Sequence, residues 1–226
     1  MNSVVWPCVA PGGIGEEMAL VAGPLDAIAR VLIVPALFEE ANRTRRLLVE
    51  SMRALADRRV SSVLPDLPGC NESLAPLDRQ DLSCWRAAIA AAAEHFAITH
   101  ALTLRGGALL APGNLPGWSF EPTGGVQVLR PMLRARTVAA REEGRAETMD
   151  GLLAAGRERG IELAGYRLGA AMVCDLEAAL SSEGAPQTLL SLDDLGGAAL
   201  WLRSEPGEDA ELSTALAARI VADLAP

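Results

Sequence analysis

Positive charge in this sequence comes from one residue type. All 20 basic residues are arginine and none is lysine. Schiff-base catalysis and a phosphate-gripping P-loop lysine are therefore excluded. Histidine occurs twice, as His95 and His100, which leaves few groups for acid–base work near neutral pH. The four cysteines (Cys8, Cys70, Cys84, Cys174) include no C-x-x-C pair, so the clustered ligands of a zinc site are missing and no metal or cofactor is expected. Arginine and carboxylate remain. They meet turn signals in three places: Glu39-Glu40-Ala41-Asn42-Arg43-Thr44-Arg45-Arg46, Pro65-Asp66-Leu67-Pro68-Gly69, and Leu104-Arg105-Gly106-Gly107. Such residues can activate water with a carboxylate while a guanidinium polarises a carbonyl. They can hold an anion, or simply pair with each other. A guanidinium cannot itself be a nucleophile, because it stays protonated.

The elements that must position these residues follow from apolar patterning. Val31–Val34 reads as a buried strand ended by Pro35, and Val60–Leu64 as a second one closed by Pro65. Between them a helix over Asn42–Asp57 puts Leu48, Met52 and Leu55 on one face. After a polar loop, Asp66–Gln80, an alanine-rich helix spans Asp81–Phe96 and carries Trp85 and Ile89. His100–Leu104 is a third strand and Gly125–Leu129 a fourth. Met132–Gly156 reads as helix broken near Gly144, Ala170–Leu180 as a shorter helix, Ala198–Leu202 as a strand and Ala210–Leu224 as a terminal helix. The first 30 residues, with Pro11-Gly12-Gly13 and Gly23-Pro24, read as an antiparallel hairpin on the sheet edge. The alternation predicts an α/β fold with a mostly parallel sheet flanked by helices. A single domain over 1–226 is expected, with residues 132–182 as an inserted helical cap.

Composition narrows the partners. The 226 residues are 50% hydrophobic and 22% charged, enough for a real core and against wholesale disorder. A net charge of −9 argues against a general nucleic-acid binder. No apolar run approaches the roughly 20 residues of a membrane span. No signal peptide is read at the N-terminus, so a cytoplasmic chain is expected. Arg130, Arg134, Arg141 and Arg145 fall on one helical face but interleave with Glu142, Glu143 and Glu147, which describes a solvated surface.

Four segments carry a resemblance. Val34-Pro35-Ala36-Leu37-Phe38-Glu39-Glu40-Ala41-Asn42 through Arg46 is similar to the P-P-F-A-E-E-x-N-x-x-R-R stretch of exosortase A system-associated hydrolases, an α/β-hydrolase group. Pro65–Cys70 resembles that group's D-L-x-G-C-G-x-S, with Asn71 in place of a glycine. Leu104–Leu110 resembles its G-L-R-x-G-x-L-L, and Glu162-Leu163-Ala164-Gly165-Tyr166 its E-x-A-G-Y. The resemblance implies an α/β-hydrolase-like fold, truncated at the C-terminus, in which Arg105 stands where the nucleophile elbow G-x-S-x-G keeps its serine. The helix after the elbow stops after about one turn at Pro112-Gly113. The acid slot falls on Glu205 or Asp209, and no histidine follows it. Both histidines precede the elbow, at the opposite end of the strands.

The same resemblance puts Arg105 and the Glu39/Glu40 loop over one crevice. Three functions stay open. The first is a degenerate hydrolase with a binding or accessory role beside exopolysaccharide and protein-sorting systems, in which Arg105, Glu40, Asn42 and Arg46 hold a small anionic or acyl ligand. The second is an ester or thioester hydrolase that uses Glu39, Glu40 or Asp66 as base with Arg105. The third is an interaction subunit, for example of a homodimer, that presents Leu115, Trp118 and Phe120.

Overall fold

The computed structural model describes residues 1–10, 13–180 and 186–225. The chain runs β1 (Asn2–Ala10), β2 (Gly13–Ala22), β3 (Ala29–Val34), α1 (Glu39–Ala56), β4 (Val60–Pro65), α2 (Leu82–His95), β5 (His100–Leu104) and β6 (Gly117–Phe120). It continues through α3 (Gly125–Glu142), α4 (Met149–Arg159), β7 (Ile161–Leu163), β8 (Tyr166–Leu168), α5 (Ala170–Ala178), β9 (Gln187–Leu190), α6 (Leu192–Leu195) and α7 (Ala210–Leu224). Single 3-10 turns lie at Leu77–Arg79, Arg105–Leu110 and Leu200–Leu202.

Seven strands form one sheet in the order β1-β2-β4-β3-β5-β6-β9. From β4 onward every pairing is parallel, while β1 and β2 form an antiparallel edge hairpin. The strands β3, β4 and β5 sit in the middle and are buried on both faces, which fits their mainly apolar sequences, with Ser61, Ser62 and Thr103 as buried polar exceptions. On β3 the side chains alternate between two cores. Leu32 and Val34 join Trp85 and Ile89 of α2 and Met132 of α3. Val31 and Ile33 join Leu48 and Met52 of α1 and Leu216 and Ile220 of α7. The result is a three-layer arrangement with the loops after β3, β4 and β5 gathered at one end of the sheet.

The edge hairpin forms as expected, although Pro11 and Gly12 lie outside the described residues. The terminal helix forms over the expected residues, and α1 starts three residues earlier than expected, at Glu39. The break near Gly144 is real: α3 ends at Glu142, and Gly144 takes a positive φ of 75° before α4 begins. With β7, β8 and α5 these helices occupy the region expected to be a cap, whose last residues, 181 and 182, lie outside the described ones.

Two expected strands are corrected. Gly125–Leu129 is the start of α3, where burial follows the helical spacing Val128, Leu129, Met132, Leu133. The strand instead is Gly117–Phe120, four residues buried on both faces between Pro116 and Pro122. Trp118 and Phe120 are accordingly 3% and 0% exposed, and Leu115 packs against the core, so the exposed contact surface expected from these residues does not exist. Ala198–Leu202 is not a strand but ends in a 3-10 turn, and the last strand is β9.

Backbone closeness fixes the end of β5 against β3. A Cβ on Gly107 would fall 2.6 Å from the Val34 carbonyl oxygen and closer still to that of Pro35. Both are backbone atoms, one in the last residue of a central strand and one in the proline that follows it, and have little room to give way. Gly107→Ala is therefore predicted to cost about 3 kcal/mol, the upper range for overpacking. Urea unfolding of the variant against the parent chain checks it.

Candidate functional site

The turn after β5 has the shape of a nucleophile elbow, with arginine at its tip. Arg105 sits in the left-handed region at φ 52°, between Leu104 in extended conformation and a 3-10 turn. Left-handed backbone is strained for a residue with a side chain and turns that side chain out of the strand's line. Gly106 and Gly107 follow because neither place has room for a Cβ: Gly106 faces Val128 and Leu37, Gly107 the end of β3.

Each nitrogen of the Arg105 guanidinium makes one hydrogen bond. Nε donates to Glu40 Oε2 at 3.1 Å and one terminal nitrogen donates to Glu40 Oε1 at 3.3 Å, a two-point pairing. The other terminal nitrogen donates to the Glu121 carbonyl at 3.0 Å. Its carbon lies 4.8 Å from the centre of the Trp201 ring, a cation–π contact. Both ion-pair partners are largely buried, at 15% and 16% side-chain exposure. Glu121, also at positive φ, accepts from the Leu192 backbone through its own carboxylate. Arg43 donates to the Trp201 carbonyl at 3.1 Å and to Glu39 at 3.4 Å. One guanidinium thus joins the ends of β5 and β6 to α1 and to the turn that carries Trp201.

The loop after β4 builds a second, acidic cluster. Gly69 at φ 84° and Asn71 at φ 51° supply its two left-handed residues, and Asn is the side chain that best tolerates that geometry. Ser73 Oγ accepts from the Gly69 backbone at 2.8 Å and donates to Glu17 Oε1 at 2.7 Å. Asn71 donates to Asp66 Oδ1 at 2.6 Å, and Arg45 approaches the same oxygen at 3.7 Å. Burial pushes the Glu17 and Asp66 carboxyls above their ordinary values against these hydrogen bonds. Glu17 is 5% exposed, and its Oε2 has no partner.

Of the residues singled out from sequence, Arg105 and Glu40 meet directly. Glu39 lies one turn of α1 away from Arg43, its partner. Asn42 turns instead to Tyr166, donating to its hydroxyl at 3.2 Å. Arg46 is exposed and pairs with Glu208 beside α7. Asp66 belongs to the acidic cluster. Asp209 caps α7 by accepting from Leu212, and accepts from Ala198 as well, a structural use. The segment it was read from is not a strand, so the carboxylates that follow the last strand are Asp193 and Asp194. Asp194 closes a capping box with Ser191. His100 opens β5, about 16 Å along the strand from Arg105 at roughly 3.3 Å per residue, and stacks on Trp118. His95 ends α2 against Trp6. Sequence reasoning missed Trp201 and Glu121, whose places depend on strands it did not find. The motif Glu162–Tyr166 is the β7–β8 hairpin, with Ala164 and Gly165 both at positive φ, the tight turn that aims Tyr166 at Phe38.

Among the described residues, no group of three or more His, Cys, Asp or Glu is placed to hold a metal ion, and no helix is long and apolar enough to cross a membrane. No family model matches the sequence, and no curated protein does. Several solved structures are similar. Est1E from Butyrivibrio proteoclasticus, solved with ferulic acid bound, has 13% identity and a TM-score of 0.54 over 78% of this chain and 74% of that one. The α/β hydrolase GrgF from Penicillium sp. sh18 has 11% identity and a TM-score of 0.54 over 84% and 80%. A protein of Agrobacterium vitis S4, placed by its description among hydrolases, has 16% identity and a TM-score of 0.52 over 78% and 71%. At these identities the likeness is one of fold, and the chain has the α/β-hydrolase fold.

Two predictions follow from the charges. A fully exposed pair is worth under about 1 kcal/mol, while removing one partner of a buried pair costs about 3–5 kcal/mol. The Arg105–Glu40 pair lies between these limits. Arg105→Met and Glu40→Gln should each cost about 2 kcal/mol, and the double variant far less than their sum, in a urea double-mutant cycle. Glu17 holds its proton to a higher pH in the folded chain than in the unfolded one. Its contribution to stability therefore falls as pH rises from its ordinary value through the folded value. Glu17→Gln should raise Tm by a few degrees at pH 8, with the gain vanishing towards pH 4. A melting series across that range reads the sign.

Proposed function

We propose that this chain is a hydrolase-fold protein that binds rather than hydrolyses. The observation that supports it is the closed state of the elbow tip. Arg105 stands where the sequence resemblance puts the nucleophile, and three of its five N–H donors are taken by Glu40 and the Glu121 carbonyl. Glu40 is committed to that pair, and Asp66 to Asn71 and Arg45. Neither carboxylate is free to serve as a general base without losing its partner. Both histidines lie too far from the elbow to supply one. By its sequence resemblance, the role falls beside the exopolysaccharide and protein-sorting systems of bacteria, as an accessory or binding component in the cytoplasm.

The test is turnover. Purified protein should release no p-nitrophenol from p-nitrophenyl acetate or butyrate above the buffer rate. Arg105→Ser should not create activity, because a serine without a base lacks the proton acceptor that activates it. Protein-dependent turnover that is lost in Glu40→Gln would overturn the reading in favour of a carboxylate-based hydrolase.

A further inference from the structure

A cavity of about 260 Å3 lies on the far side of the Leu37–Phe38 loop from Glu40 and Trp201, and none of the residues 104–110 lines it. Its walls are Leu37, Phe38, Leu67 and Trp85, all buried. Phe38 lies 5.6 Å from the Trp85 ring and 5.4 Å, edge to face, from Tyr166. The Trp85 indole nitrogen is already used, donating to the Pro68 carbonyl, so the ring offers the cavity only apolar surface. Polarity enters at one place. Asn42 donates to the Tyr166 hydroxyl, and among the described residues nothing engages the hydroxyl's own proton or the Asn42 amide oxygen. One donor and one acceptor therefore stand close together at the cavity's solvent-exposed edge, where Asn42 is exposed and Tyr166 half-buried, within the lining that a ligand's polar group would meet.

The charge around the cavity selects that group. No charged side chain lines it. Behind the lining, Asn71 holds Asp66, and Glu17 lies beyond through Ser73. Burial, Asp66 and Glu17 together push the Cys70 thiol up to about 12. Cys70 therefore lines the cavity as a protonated thiol, neither a nucleophile nor a metal ligand. Where they are ionised, the same two carboxylates set a potential that opposes a bound anion, offset in part by Arg45 and, at Tyr166, by Arg43 set against Glu39. Size narrows the class further, since pockets for drug-sized ligands run from about 300 to 1,000 Å3.

We propose that this cavity binds a small neutral molecule, one ring or a short branched chain carrying a single hydroxyl or carbonyl, and rejects the corresponding anion. The site is separate from the elbow, so the proposal stands or falls independently of what Arg105 does. Isosteric probes test it: benzyl alcohol, benzoate, benzylammonium and toluene, titrated into the full chain and followed by NMR shifts. Benzyl alcohol should bind saturably in the millimolar range and benzoate at least tenfold more weakly. Ala41→Leu, which fills the cavity from α1, should abolish binding while the unfolding midpoint shows the variant folded. Tyr166→Phe keeps the ring contact and should weaken benzyl alcohol about tenfold while leaving toluene unchanged. Benzoate binding as tight as the alcohol, tighter benzylammonium binding, no saturable binding of the alcohol, or binding that survives Ala41→Leu in a folded variant would each overturn it.

Discussion

The pairing of Arg105 with Glu40 is the interaction on which the end of the sheet carrying the loops after β3 and β5 depends. A positive-φ turn delivers a side chain to the place where several loops converge, and here that side chain carries a permanent charge. A guanidinium at 15% exposure must be paired, because the desolvation of an unpaired charge is not recovered by dispersion contacts. Glu40 supplies the opposite charge from the first turn of α1, the Glu121 carbonyl takes a remaining donor, and the Trp201 ring covers the flat face. Each partner comes from a different element. The charge therefore ties α1, the end of β6 and the turn before α7 to the end of β5, and none of them can shift alone without stranding it.

That dependence explains which parts of the molecule can be read from sequence. The strands β3, β4 and β5 are legible because burial on both faces favours short runs of apolar and small uncharged residues, and Pro35, Pro65 and Gly106-Gly107 mark their ends. The order of motifs then brings Arg105 and the Glu39-Glu40 turn together. β6 is not legible in the same way. Gly-Trp-Ser-Phe is four residues long, begins at a glycine with φ 147° and lies between two prolines, so every local signal reads as loop. Only its parallel pairing with β5 on one side and β9 on the other makes it a strand. Gly125–Leu129 fails in the opposite direction. A short apolar run fits strand or helix equally, and the helix is settled by Met132 and Leu133 on the next turn.

Misplaced strands carry into the site. With Ala198–Leu202 read as the last strand, the acid slot lands on Glu205 or Asp209, and the structure spends Asp209 on a helix cap. Trp201 and Glu121 go unnoticed because each is positioned by an element the pattern does not reveal. Asn42 is similar. Its partner, Tyr166, lies 124 residues away on a two-stranded hairpin whose turn chemistry is plain in Ala164-Gly165 but whose docking site is not. Local turns are written in local sequence. Contacts between them depend on sheet order.

The Leu37–Phe38 loop divides what the fold can still do at this end. Phe38 has φ 54° and ψ −126°, a strained geometry for an aromatic residue, and it persists only because the surroundings hold it. Trp85 and Tyr166 clamp its ring on one side, and its carbonyl accepts from Ala41 at the start of α1. Leu37 and Phe38 thereby wall two cavities at once. On one side, about 200 Å3 of space borders Glu40 and Trp201. A polar ligand that binds Glu40 there competes with Arg105 for its carboxylate and so disturbs the pair that fastens four elements. On the other side, the space borders rings, a hydroxyl and an amide with unused hydrogen-bonding capacity. Occupying it breaks no ion pair. The energetics of one buried charge thus make the neutral side of the same loop the less costly one for a ligand to occupy.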